Sequence, residues 1–465
     1  MKAEIGVLGM GVMGRSLSRN LARNGFVVSI YNRHVDGVEE NVARDFKAAH
    51  PELAEAMAYD DISAFVQSLA IPRKILLMVN AGPAVDAVME DLSAHLGEND
   101  ILIDAGNSHY QDTISRIKTM KQRNLHFIGS GVSGGEKGAL IGPSIMPSGD
   151  YQAYQQVSRY LEAIAAKDSN NQPCCAYIGE QGSGHFVKMI HNGIEYAEMQ
   201  LLAECYSILK TQKESNESIA NIFEQWMEDQ GSYLLQISVD ILRKKEGEAY
   251  LLDLILDKAA NKGTGKWATS TIADSGEPAT MIPAALFARY LSFFKDQRTK
   301  AEALFSSPKE YLSLSNDKLK EAYQFARIIN HHQGFSLIGS VSDRNAWQVN
   351  LSEVARIWTA GCIIKSDLMK DISVTLNQAD NLLFNEPWRS QLDATHSATQ
   401  QVVIKCMENQ LPIPCLTAAL NYFHGIKIGD GSANLIQAQR DYFGAHTYKK
   451  KNDPSERSYH TVWEG

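Results

Sequence analysis

Lys188, His191, Asn192, Glu195 and Tyr196 stand at i, i+3, i+4, i+7 and i+8, while Phe186, Val187, Met189, Ile190, Ile194 and Ala197 fill the positions around them. On a helix this spacing puts an amine, an imidazole, an amide, a carboxyl and a phenol in one stripe on an otherwise apolar rod. Two arrangements fit the pattern: a core helix with an internal Lys–Glu pair, or a stripe facing a cavity that holds a polar ligand. Leaving such charges buried and unpaired costs several kcal/mol, so a ligand or a partner must satisfy them. In a cavity, burial favours a neutral amine and a protonated carboxyl, the forms a general base and a general acid require.

Other clusters point to anions. Gly9-Met10-Gly11-Val12-Met13-Gly14 fits G-x-G-x-x-G directly after a strand and at the opening of a helix, where backbone N–H groups meet a pyrophosphate. The second strand ends at Asn32-Arg33, where an NAD site usually offers an acidic residue to the ribose, so Arg33 suggests a 2′-phosphate and therefore NADP. Val79-Asn80-Ala81 and Asn107-Ser108 lie just beyond two further strands, and are either ligand contacts or loop caps. Gly129-Ser-Gly131-Val-Ser133-Gly134-Gly135-Glu-Lys-Gly138 is expected to be a loop whose amides cradle an anion, with a flexible loop as the alternative. Lys262-Gly-Thr264-Gly-Lys266 combines cations with chain freedom, Arg289 lies in an apolar helical segment, and Arg440 and His446 stand six residues apart near the end, suited to a phosphate. His331-His332 is assigned to structure.

These groups need a scaffold of 465 residues, enough for two or three domains. A net charge of −9 argues against a nucleic-acid scaffold and leaves anion binding to local cations. Six cysteines without C-x-x-C or a Cys/His cluster indicate neither a zinc site nor a disulfide framework. With no signal-like leader and no apolar run of about 18 residues, the expectation is a cytoplasmic protein. Strands are expected at 5–8, 27–31, 74–79, 101–104 and 126–130, with helices at 11–24 and 82–94 between them, the alternation of a parallel α/β sheet. Beyond the glycine-rich joint at 179–184 the chain reads as helical, with candidates at 184–210, 218–229, 283–305, 317–330, 351–375 and 416–424. The fold expected is thus a Rossmann-type α/β domain (1–179), a large all-α domain (180–433) and a tail (434–465) too polar for a core of its own, either disordered or laid against another surface.

In the same order and at family-like spacing, the glycine fingerprint, Asn32-Arg33, Gly131-Val-Ser-Gly-Gly135, the 184–196 stripe, Lys262-Gly-Thr-Gly-Lys-Trp267 and Arg440-Asp-Tyr-Phe-Gly-Ala-His446 resemble decarboxylating 6-phosphogluconate dehydrogenases, within the β-hydroxyacid dehydrogenases. The resemblance implies oxidative decarboxylation of 6-phospho-D-gluconate to D-ribulose 5-phosphate and CO2 with reduction of NADP, a step of the oxidative pentose phosphate pathway and of gluconate utilization. It makes Lys188 the base and then acid, and Glu195 the finishing acid. Substrate contacts fall to Asn107, Ser133, Gly134, Gly135, His191, Asn192, Tyr196, Lys262, Thr264 and Arg289, and cofactor contacts to residues 9–14, Asn32, Arg33, His34, 79–81 and Asn107. It further implies a homodimer whose tail carries Arg440 and His446 into the neighbour's site, and no metal. Asn80, His34 and Ala105 depart from the lysine, threonine and glycine common in the family. The competing readings are a non-decarboxylating β-hydroxyacid dehydrogenase, which is typically shorter, and a noncatalytic NADP-binding homologue.

Overall fold

The computed structural model describes residues 2–260, 263–305, 312–379 and 381–464. The chain forms two compact units, Met1–Ala419 and Leu420–Gly465. In the first, a seven-stranded sheet is built from β1 (Ile5–Leu8), β2 (Val28–Tyr31), β3 (Met57–Tyr59), β4 (Lys74–Leu77), β5 (Ile101–Asp104), β6 (His126–Ser133) and β7 (Ser144–Gly149) in the order β3-β2-β1-β4-β5-β6-β7. The first six are parallel, and β7 returns antiparallel against β6. β1 and β5 are buried along their whole length, as expected of strands covered on both faces by crossover helices. The order reverses between β1 and β4, which opens a crevice beyond their carboxyl ends. The fingerprint and the 79–81 loop both lie there.

The 29-residue helix Ser183–Thr211, here called the central helix, is buried on nearly all sides. It packs on β6 and β7 and on helices Thr264–Ser275, Met281–Phe293 and Asn316–Asn345. Glycines permit the closest of these contacts. A Cβ at 131 would lie 2.3 Å from Lys188 Cβ, one at 184 would lie 2.1 Å from the Met146 carbonyl, and one at 334 would lie 2.5 Å from Ile194 Cδ1.

Several elements differ from expectation. Gly129 and Gly131 belong to β6 rather than to an anion-binding loop, and only Gly134 and Gly135, both at positive φ, turn the chain into helix Gly135–Ile141. Short β3 and antiparallel β7 carry no strong sequence signal. The expected helix at 283–305 is two helices, Met281–Phe293 and Lys295–Leu304, divided at Phe294. That at 351–375 is interrupted between Ile357 and Asp367, where Gly361 takes φ +69, whereas 317–330 runs on to Asn345. Helix Glu386–Glu408 was not anticipated. Among the described residues no helix is long and apolar enough to cross a membrane.

The second unit contains helix Ala433–Gly444 and an antiparallel bridge joining Tyr448 and Tyr459 through two 2.8 Å backbone hydrogen bonds. The tail is therefore ordered by hydrogen bonds although it has no apolar core.

Gly184→Ala is expected to lower the unfolding free energy by about 1–3 kcal/mol, the cost of forcing a methyl into a filled contact. Urea unfolding measures it, and an unchanged midpoint would show that β7 and the central helix can move apart freely.

Candidate active site

At the crevice, the turn after β1 is shaped by its own glycines. Gly9 has φ +99 and has the Met78 carbonyl 2.4 Å from where a Cβ would stand, while a Cβ on Gly14 would strike the Gly9 carbonyl at 1.9 Å. Gly11 faces open space, with nothing within 4 Å of a Cβ, and it begins helix Val12–Arg23 without a side-chain cap. The first amides of that helix are thus left for a ligand, which fits the pyrophosphate of a dinucleotide. Met10 N–H donates to Asn32 Oδ1 at 3.1 Å, and Arg15 Nε donates to the Met10 carbonyl at 2.9 Å, so both flanking side chains hold the turn.

Glu39 receives Asn32 Nδ2 at 2.9 Å and Arg33 Nη2 at 3.1 Å. The guanidinium and amide hold the Glu39 carboxyl below its usual range. Arg33 remains 71% exposed at its side chain, and His34 Nε2 pairs with Asp36 at 2.8 Å. Beyond β4, Asn80 is exposed, with Val79 and Ala81 half-buried beside it.

Past β5, buried Asp104 accepts the Gly106 N–H at 3.0 Å and the Ser108 hydroxyl at 2.6 Å. Arg116 donates to Ser108 Oγ at 3.3 Å and pairs with Asp86 at 2.7 Å. Ser108 is therefore a buried brace, and Asn107 is the residue of this turn left facing outward.

The central helix carries its polar line as the spacing predicts. Lys188 Nζ donates to Asn192 Oδ1 at 2.7 Å and lies 3.3 Å from His191 Nδ1. His191 Nε2 is 3.1 Å from Ser133 Oγ, and Trp358 meets the imidazole edge-on at 5.3 Å. Burial pushes the Lys188 amine down from its ordinary value, against the opposing pull of Glu195 and Cys362. Burial, with the charge of Lys188, also holds His191 neutral. His191 Nδ1 is also 3.3 Å from Asn192 Oδ1, so a neutral ring either accepts from Lys188 there and donates to Ser133 from Nε2, or donates to Asn192 and accepts from Ser133.

Glu195 lies 3.8 Å from His191 Nδ1, beyond hydrogen-bond reach, with 22% of its side chain exposed. Burial raises its carboxyl above the ordinary value although Lys188 and Arg289 pull the other way. Arg289 stacks 3.6 Å over the Tyr196 ring, and Gly265, the second residue of helix Thr264–Ser275, is bare because a Cβ there would stand 2.6 Å from that ring. Thr264, buried, begins the same helix.

The expected residues Ser133, Lys188, His191, Asn192, Glu195, Tyr196 and Arg289 thus form one continuous set, with Thr264 and Gly265 against it. Lys262 lies outside the described residues, and Arg440 and His446, both exposed, belong to the second unit. Trp358 and Cys362 were missed. They lie in the break that Gly361 introduces into an expected helix, and that glycine was the available signal. Cys362 is buried, with its thiol pushed up to about 12.

Residues 4–179 match the NAD binding domain of 6-phosphogluconate dehydrogenase and residues 184–463 its C-terminal domain. Decarboxylating 6-phosphogluconate dehydrogenases of Klebsiella pneumoniae and Escherichia coli K12 are each 43% identical over 472 residues, covering 99% of both chains. Among solved structures, Plasmodium falciparum 6-phosphogluconate dehydrogenase, described in its apo form and in complexes with NADP+ and with 6-phosphogluconate, superposes with a TM-score of 0.93 at 36% identity, covering 99% of this chain and 100% of that one.

Because the folded state depresses the Lys188 amine, protonating it costs stability. That cost is absent well above the ordinary lysine value, grows as pH falls toward the depressed value, and is constant below it. Lys188→Met removes it. The melting temperature of the variant relative to the parent is therefore expected to be more favourable at pH 6 than at pH 10, and a difference independent of pH would mean that the amine is solvated.

Proposed function

The chain belongs to the 6-phosphogluconate dehydrogenase family, and from that membership we propose that Lys188 and Glu195 carry the proton transfers of an NADP-dependent oxidative decarboxylation. The reaction takes 6-phospho-D-gluconate to D-ribulose 5-phosphate and CO2. The observation that carries the assignment is the placement of both groups on one face of the central helix, a buried amine whose surroundings favour its neutral form and a carboxyl two turns beyond it whose surroundings favour its protonated form.

The dinucleotide would be held by the turn at 9–14, by Asn32, Arg33 and His34, by residues 79–81 and by Asn107. When bound it supplies the acceptor for the hydride of C3. Neutral Lys188 takes the C3 hydroxyl proton as that hydride departs. The resulting ammonium, oriented by Asn192, donates to the new C3 carbonyl oxygen. It stabilises the charge that collects there as the C1 carboxylate leaves as CO2. Glu195 then protonates the carbon that lost the carboxylate, and Lys188 recovers the proton of the enediol hydroxyl as the ketone forms. Neutral His191, between Ser133 and Lys188, keeps the amine in register without adding a second positive charge.

The remaining contacts to the sugar acid are assigned to Asn107, Ser133, Gly134, Gly135, Asn192, Tyr196, Lys262, Thr264 and Arg289. Arg440 and His446 of a second copy complete the site at the phosphate, in a homodimer that exchanges tails. Phe287 and Leu291, which flank Arg289 on its own helix, are 58% and 59% exposed, and an apolar face of that kind supports association. The six buried free thiols suit a reducing compartment, and we place the enzyme in the cytoplasm.

Lys188→Ala is expected to lower turnover by roughly 10²- to 10⁴-fold while leaving the dissociation constant for NADP unchanged. Reduced cofactor and released CO2, followed together with 6-phosphogluconate as substrate, measure this, and near-normal turnover would remove Lys188 from the mechanism. Arg33→Glu is expected to weaken NADP far more than NAD, since the 2′-phosphate would lose a cation and meet an anion beside Glu39. Titrating the variant with both dinucleotides decides it, and unchanged selectivity excludes Arg33 as the discriminator.

A further inference from the structure

Asp441 is wholly buried within a tail helix whose neighbouring residues are mostly exposed, and the proton transfers above make no use of it. Its backbone carbonyl accepts the Ala445 N–H at 2.9 Å. Carboxylate Oδ1 accepts the Thr447 N–H at 2.9 Å and meets His460 Nδ1 at 2.9 Å. Oδ2 accepts the Thr461 N–H at 3.0 Å and the Trp463 indole N–H at 2.8 Å. Burial pushes this carboxyl up, but the four donors prevail and hold it at about 2, so it is ionised throughout the neutral range.

The carboxylate thus holds the Thr447 N–H, directly after His446, while the Ala445 N–H before it closes the last turn of the helix on the Asp441 main chain. Ala445 and Thr447 have φ of 49° and 60°, a left-handed conformation that such residues keep only where their surroundings impose it. The imidazole folds back over Gly444, where a Cβ would come within 2.7 Å of His446 Nε2. A second link joins Arg440 to the turn that carries His446. Gln437 Nε2 donates to the Thr447 carbonyl at 2.5 Å, and Gln437 Oε1 accepts from Arg440 Nη1 at 3.2 Å. One carboxylate and one amide therefore set where the guanidinium and the imidazole stand relative to each other, and both remain exposed.

We propose that Asp441, assisted by Gln437, is a positioning residue that fixes Arg440 and His446 as a preformed clamp for a substrate phosphate. The inference rests on the reading above that these two side chains act in the site of a second copy. An ordered clamp loses less freedom on binding than a loose tail does, so the carboxylate acts on substrate affinity rather than on the chemical step.

Asp441→Asn in the full-length enzyme tests this, because an amide nitrogen cannot accept from Thr461 and Trp463 as the carboxylate oxygen does. KM for 6-phosphogluconate is expected to rise about tenfold or more, with a much smaller change in kcat and none in the dissociation constant for NADP. kcat/KM for unphosphorylated gluconate should stay as in the parent. Gln437→Ala should shift KM in the same direction but less, and Arg440→Ala should cost less in the Asp441→Asn background than alone. If Arg440→Ala and His446→Ala leave KM unchanged, the tail reading itself fails. If they raise KM and Asp441→Asn does not, the clamp alone fails. A fall in gluconate turnover or in dimer content equal to the loss with 6-phosphogluconate would make Asp441 a general structural residue and overturn the proposal.

Discussion

The site depends on how closely β6 approaches the central helix. At Gly131 the strand backbone stands where any side chain would collide with Lys188, and at Gly129 a Cβ would come within 2.5 Å of Thr113 and 2.9 Å of His185. This contact seals the lysine stem between sheet and helix, so its amine ends among Asn192, His191 and Ser133 rather than in water. Burial is the largest influence on Lys188, His191 and Glu195 alike, and for Lys188 it follows from that packing. An unpaired ammonium buried so deeply would be costly. An amine that sheds its proton removes most of the cost and acquires the ability to take one from a hydroxyl.

The stripe was legible because its chemistry and its period coincide: five polar groups at helical spacing on an apolar rod admit few other arrangements. The glycine fingerprint was legible for the same reason, since Gly9 and Gly14 are dictated by contacts within the turn itself. The anion-binding loop expected from Gly129 onward was a misreading, although the strand expected at 126–130 already held Gly129. A run of glycines after a strand suggests a loop, and only the partner helix reveals that the strand continues and the glycines serve packing. The gap around Gly361, where a Cβ would come within 2.6 Å of Ala166 Cβ and 2.7 Å of the Gly142 carbonyl, arises from tertiary contacts that a hydrophobic pattern does not encode, so Trp358 and Cys362 went unnoticed beside the imidazole and the amine.

The role of Ser108 changed for a similar reason. As a polar residue beyond a strand it is equivalent to Asn107 in sequence, yet Asp104 and Arg116 bind its hydroxyl and turn it inward. Asp104 ends an apolar strand and is itself buried, and a carboxylate in that position needs donors. Its donors come from the two residues that bracket Asn107, so satisfying the buried charge also fixes the outward residue. Asp441 solves the same problem in the tail, where one of its four donors is the N–H that directly follows His446.

Three carboxyls largely removed from water show how the supply of donors decides which way an acid is displaced. Asp441 collects four donors and is held at about 2 despite its burial. Glu204 receives the Cys415 and Leu416 amides and Gln200, and burial still carries it to about 7. Glu195 is influenced by Lys188 and Arg289 through charge alone, with His191 too far for a hydrogen bond. Adding donors to Glu195 would stabilise the carboxylate and oppose the upward displacement that the proposed proton transfer needs. Its poverty of partners, costly in a structural residue, leaves burial to raise the carboxyl above its ordinary value, as the proposed role of acid requires, while 22% of its side chain stays open.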